Sequence, residues 1–119
     1  MARAPLPKRG EVWLVRFDPA TGAEIRKVRP AVVINVDGVG RLPLRIVVPL
    51  TDWKAAYTSL SWFVHLPPSP TNGLLKISGA DTFQVKSVSL ARFDAKLGAL
   101  TPDQADEIAD AIANGVGAT

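Results

Sequence analysis

The side chains that most often carry out chemistry are scarce in this sequence. It has no cysteine, which excludes a thiol nucleophile, a thiolate metal site and a disulfide framework. The one histidine, His65, cannot form a two-histidine catalytic pair within a subunit. No HExxH run or clustered Asp/Glu pattern offers a metal site, and no Walker or GxGxxG run offers a nucleotide cradle. Neither a metal nor a cofactor is therefore expected. What remains is charge. The polar stretch GAEIRKVR, residues 22–29, carries Glu24, Arg26, Lys27 and Arg29. Arg26 and Lys27 are plausible phosphate contacts, giving affinity and salt sensitivity rather than specificity. Arg29, taken by itself, reads as a solvated charge at the end of a strand.

The charge is unevenly spread. Of 11 acids, Asp103, Asp106, Glu107 and Asp110 lie near the end, so the first hundred residues hold the other seven against all 14 bases. A basic body with an acidic helix at its end suits a polyanionic partner such as nucleic acid. No apolar run approaches the roughly 18 residues of a membrane-spanning helix. MARAPLPKRG is basic but lacks the apolar core of a signal peptide, so a cytoplasmic location is expected.

The elements that must position any site are mostly strands. EVWLVRF (11–17) alternates and is rich in β-formers, and AVVINV (31–36), LRIVVPL (44–50) and SLSWFVHL (59–66) follow. Residues 74–77, 82–88 and 96–100 read as shorter strands. Pro30 can begin a strand but not sit in its centre, and Pro49 suggests a bend or an edge. Asn72-Gly73 is a turn signal. Thr101-Pro102-Asp103-Gln104 supplies an N-cap, a first-turn proline and a capping-box partner, ahead of an apolar face of Ala105, Ile108, Ala109 and Ile112. With no repeat or linker, residues 1–119 are read as one domain of seven short strands and one helix, a small barrel or sandwich.

The ordered set of motifs is more specific than any one of them. Arg9-Gly10-Glu11-Val12-Trp13, Phe17-Asp18-Pro19, Gly22-Ala23-Glu24 and Arg29-Pro30-Ala31-Val32-Val33-Ile34 come first. Val47-Val48-Pro49-Leu50-Thr51, Gln84-Val85-Lys86-Ser87-Val88 and Lys96-Leu97-Gly98-Ala99-Leu100-Thr101 follow. Together, over about residues 8–113, they resemble the MazF/PemK/Kid family of toxin ribonucleases. The resemblance implies an SH3-like barrel with a C-terminal helix, the MazF/Kid/CcdB-type toxin fold, working as a homodimer. It implies a sequence-specific endoribonuclease of a type II toxin–antitoxin module, silenced by an antitoxin whose acidic, flexible tail lies over the RNA groove. The family's functional Arg falls on Arg29, its functional Thr on Thr51 and its loop acid on Glu24.

Those residue types suit metal-independent cleavage of single-stranded RNA. The RNA brings its own nucleophile, the 2′-OH, so the protein need only hold the attack in line and neutralise charge growing on phosphorus. Arg29 offers a planar fork of donors, and Thr51 a hydroxyl on a branched, rotamer-restricted stem. Arginine is a poor general base, which leaves Glu24 the better candidate on chemistry. Trp53 can stack on a base, Tyr57 less so. Gln84 and Lys86 lie in the family's QVKS stretch, where Lys86 can bind phosphate or the antitoxin tail. Trp13 reads as core and His65 as structural. Some relatives carry an acid directly before the Gln84 position. Here Phe83 stands there, and Asp81 is the nearest acid. The competing readings are a member that binds RNA or antitoxin without cutting, and a CcdB-like gyrase poison on the same fold, which the non-aromatic end GVGAT disfavours.

Overall fold

The computed structural model of the chain describes residues 6–17 and 28–118. Its strands are β1 (Glu11–Arg16), β2 (Val28–Val33), β3 (Leu44–Asp52), β4 (Phe63–Leu66), β5 (Ser78–Asp81), β6 (Lys86–Ser89) and β7 (Phe93–Ala99), and helix α1 (Pro102–Gly115) follows them. They pair antiparallel in the order β4-β5-β3-β2-β1-β7, with β6 beside the first part of β3. The architecture is the expected one, mostly β with a C-terminal helix. Among the described residues the strand path does not close into a ring, so it is a barrel only in a loose sense.

Strand β3 is the hub. One edge pairs with β2, through Val47, Val48 and Pro49. The other edge changes partner, pairing with β6 over Leu44–Val47 and with β5 over Leu50–Asp52. The ladder phase is set by the Ile34 N–H, which donates to the Ile46 carbonyl at 2.9 Å. Hydrogen-bonded and non-hydrogen-bonded pairs then alternate. Pro49, opposite Ala31, falls on a non-hydrogen-bonded pair, so its missing N–H faces the gap between β6 and β5. Pro30 would fall on a hydrogen-bonded pair with Leu50 and has no proton to give. The β2–β3 ladder accordingly stops at Ala31, while Pro30 keeps its place opposite Leu14 of β1. Both prolines sit inside strands rather than at their ends: Pro49 where its missing donor faces the gap between β6 and β5, and Pro30 where the β2–β3 ladder stops.

Alternation gives the sheet two buried faces. Val12, Val32, Val48, Leu50, Val64, Leu66 and Ala80 form one core with Ala105, Ile108 and Ala111 of α1. Val15, Phe17, Ala31, Val33, Val47 and Val88 form a second core on the opposite face, flanked by Trp13 and Phe93. The helix starts as its sequence requires: Thr101 Oγ1 accepts from the Gln104 N–H at 3.2 Å, and Gln104 Oε1 accepts from the Thr101 N–H at 3.0 Å.

Several boundaries differ from the sequence expectation, each for a non-local reason. Strand β2 ends at Val33 rather than Val36, because the Ile34 carbonyl accepts from the Arg9 guanidinium and Asn35 Oδ1 takes the Ile46 N–H. Residues 74–77 form no strand. Buried Asn72 closes the preceding loop instead, donating to the Pro67 carbonyl and accepting from the Ser69 and Leu74 N–H groups. The loop lies so close on β7 that a Cβ at Gly98 would meet the Thr71 carbonyl oxygen at 2.4 Å. Residues 82–88 are split by a 3-10 turn at Thr82–Gln84. Strand β4 starts only at Phe63, after a 3-10 turn at Ala55–Ser59.

Glu11 ties β1 to β7. Its carboxylate lies 2.9 Å from Lys96 Nζ and accepts from the Lys8 N–H and the Trp13 indole. Burial pushes its pKa up, but the Lys8 backbone hydrogen bond, those from Lys96 and Trp13, and the Lys96 charge outweigh burial and hold it below its ordinary value. The stabilisation is therefore present above the unfolded carboxyl pKa and lost as pH falls through the folded one. Glu11→Gln should lower unfolding free energy by about 1–2 kcal/mol at pH 7, and urea titrations should show the gap from wild type shrinking below about pH 4. In the core, Ile108→Ala should cost about 2–5 kcal/mol by the same titration.

Candidate active site

The β2–β3 ladder ends at the pair Ala31–Pro49; continued two residues further, the same register would set Arg29 opposite Thr51 on a non-hydrogen-bonded pair. In such pairs the Cα atoms are about 4.5 Å apart and the side chains at their closest. Thr51 is opposite Gly79 of β5, and Gly79 is opposite His65 of β4. Directly opposed residues share a face, so Arg29, Thr51 and His65 lie along one row of the sheet, with Gly79 as the gap in it.

Arg29 is half-buried, and among the described residues its buried Nε has no hydrogen-bond partner. A buried N–H costs about 1–3 kcal/mol when left unsatisfied, so this one is held ready for an acceptor. The Thr51 side chain is also half-buried. Among the described residues no hydrogen bond occupies its hydroxyl, which therefore does not cap the following turn.

Trp53 lies two residues beyond Thr51, on the same face. Its ring meets the His65 ring edge-on at 4.7 Å between centroids and the Tyr57 ring at 5.7 Å. Tyr57 stacks on Phe63 at 3.8 Å. This aromatic floor needs the glycine beneath it, because a Cβ on Gly79 would stand 3.1 Å from both the Trp53 and Phe63 rings. Sequence reading took His65 as structural. Its membership of the row became visible only through the β3–β5 and β5–β4 registers.

The other expected residues are less tightly gathered. Lys86 pairs with Val47 on the same face, its ammonium 5.8 Å from the centre of the Phe17 ring. Four residues separate Val47 from Thr51, roughly 13 Å along the strand. Gln84 lies in the 3-10 turn after β5, its amide donating to Asp81 Oδ2 at 3.2 Å. Asp81 Oδ1 also caps that turn by accepting from the Phe83 N–H. Both of its oxygens are thus engaged within the turn, and Phe83 itself is exposed. Glu24, Arg26 and Lys27 lie outside the described residues.

Gly79→Ala should tilt Trp53 off the sheet. The expected result is a shift in tryptophan emission with about 1–3 kcal/mol lost in stability.

The chain matches the model of the PemK-like, MazF-like toxins of type II toxin–antitoxin systems over residues 8–116. It is 30% identical to the endoribonuclease MazF9 of Mycobacterium tuberculosis over 111 residues, 88% of this chain and 92% of that protein. It is 30% identical to the endoribonuclease toxin ChpB of Escherichia coli over 104 residues, 84% of this chain and 85% of that one. Among solved structures, MazF of Deinococcus radiodurans superposes with a TM-score of 0.76 at 20% identity, covering 96% of this chain and 99% of that one. A mycobacterial endoribonuclease in complex with its cognate antitoxin superposes at 0.75 with 18% identity, covering 95% and 97%. With its fold, its motifs and a match along nearly the whole chain in agreement, this protein belongs to the PemK-like, MazF-like toxin family of type II toxin–antitoxin systems.

Proposed function

We propose that this toxin is an endoribonuclease that cuts single-stranded RNA at specific sequences, using the RNA's own 2′-OH and no metal ion. The observation that carries the reading is Arg29, whose buried Nε has no partner among the described residues; the β2–β3 register, if continued, would bring it opposite Thr51. A scissile phosphate seated there would supply the missing acceptor. Its non-bridging oxygens would take the Arg29 fork and the Thr51 hydroxyl, which neutralise the charge that builds as the 2′-oxygen attacks.

In this step the 2′-oxygen forms a bond to phosphorus and the bond to the 5′-oxygen breaks. The products are a 2′,3′-cyclic phosphate and a 5′-hydroxyl. A general base takes the 2′-OH proton, and the 5′-oxygen takes one from water or Arg29. Glu24 suits the base role by its chemistry. Trp53 suits stacking on a neighbouring base. Lys86, on the same face about 13 Å along the strand from the Thr51 row, suits a flanking phosphate. Gln84, Arg26 and Lys27 complete the proposed RNA contacts.

The relatives that share its motifs are named as endoribonucleases, and a structural neighbour was solved with its cognate antitoxin. A cognate antitoxin with an acidic tail would compete with RNA for the same cations. A homodimer is part of this reading, and exposed Leu42, Leu44 and Ile46 offer apolar surface for a second copy.

The test is incubation with long single-stranded RNA in excess EDTA, with product ends mapped. Wild type should give discrete cuts, and Arg29→Ala should lower kcat by about 10²–10³-fold with a smaller loss of binding. A single 2′-deoxy nucleotide at the cut should abolish cleavage there. Cutting that survives the 2′-deoxy substitution would refute the mechanism, and near-normal turnover by Arg29→Ala would remove Arg29 from the site.

A further inference from the structure

Strand β4 is the last strand at one end of the sheet, so among the described residues its outer edge has no strand partner. The hydrogen-bond phase identifies the groups that stand there. The Thr82 N–H donates to the Trp62 carbonyl at 3.1 Å, one step before the pair Phe63–Asp81. Even-numbered residues of β4 therefore bond to β5, while Phe63 and His65 turn their backbone groups outward. The Phe63 N–H is taken by the Leu60 carbonyl at 3.2 Å. The N–H and carbonyl of His65 are left at the open edge.

That edge runs through a cleft of about 650 Å³. Trp53 and Tyr57 stand on one side of it, and Glu107, Asp110 and Asn114 of α1 on the other. Glu107 and Asp110 are exposed, and among the described residues neither is in an ion pair. No Lys or Arg lines the cleft. On a chain whose net charge is +3, this wall is locally acidic. Such a wall attracts a cation.

We propose that this cleft binds an extended peptide carrying Lys or Arg, which adds as a strand to the edge of β4. An open strand edge pairs with the alternating N–H and C=O groups of another peptide strand, which a nucleic acid does not have. The residue opposite His65 would exchange two backbone hydrogen bonds with it, and a basic side chain would reach Glu107 and Asp110. Because exposed carboxylates supply much of the attraction, the association is weak and salt-sensitive. The cleft adjoins the Arg29–Thr51 pair and shares Trp53 with the proposed RNA site, but Thr51 and His65 are separated by β5, about 10 Å between Cα atoms. The inference does not depend on RNA cleavage.

The test uses the full chain labelled with ¹⁵N and titrated with an acetylated, amidated hexapeptide of alternating Lys and Val. The His65 amide resonance should shift and its hydrogen exchange should slow. The double variant Glu107→Gln, Asp110→Asn should weaken binding by about tenfold, and a peptide N-methylated along one edge should not bind. The proposal is overturned if His65 does not respond, or if a Glu–Val peptide or the double variant binds equally well. It is also overturned if an oligouridylate shifts the same amides more strongly, which would assign the cleft to RNA.

Discussion

Between β2 and β3 the backbone ladder ends where Pro30 has no N–H to offer Leu50, and the geometry of the site hangs on that ending. Beyond the pair Ala31–Pro49 the two strands are no longer laced together. Arg29 sits there on the kind of pair whose side chains approach most closely, and its Nε is buried with no acceptor. Pro49 serves the opposite edge of β3 in the same way, since its missing proton marks the point where the strand exchanges β6 for β5.

The rest of the structure holds that row in place. The even-numbered face of the central strands is buried against Ala105, Ile108 and Ala111 of α1, which fixes the register of β3, β4 and β5. A slip of one residue would turn Thr51 and His65 into the core. The second core, on the site's own face, includes Val15, which pairs with Arg29, and Ala31, two residues further along β2. Its apolar packing lowers the local dielectric around the guanidinium and strengthens any charge interaction made there. Gly79 leaves room for the Trp53 and Phe63 rings, which a Cβ there would approach to 3.1 Å.

Much of this was legible where the signal is local. The alternation of Glu11–Arg16 and the capping box at Thr101 depend on neighbours in sequence, and both appear as read. Arg29 and Thr51 could be singled out only by resemblance, because neither residue type declares chemistry alone. What escaped reading depends on contacts between distant segments. His65 joins the row through two successive registers. The apolar residues 74–77 look like a strand, but Asn72 spends its side chain closing a loop and leaves Leu75 96% exposed. Asp81, the nearest acid to Phe83, is occupied as a turn cap.

The central claim is that Arg29 and Thr51 act as one unit on a single phosphate. A double-mutant cycle of Arg29→Ala and Thr51→Val, read as single-turnover RNA cleavage rates in EDTA, tests it most directly. If both side chains hold the same oxygens, the losses will be strongly non-additive, with the double variant little slower than the worse single one. Losses that simply multiply would mean that the two residues act independently, and the shared phosphate site would be wrong.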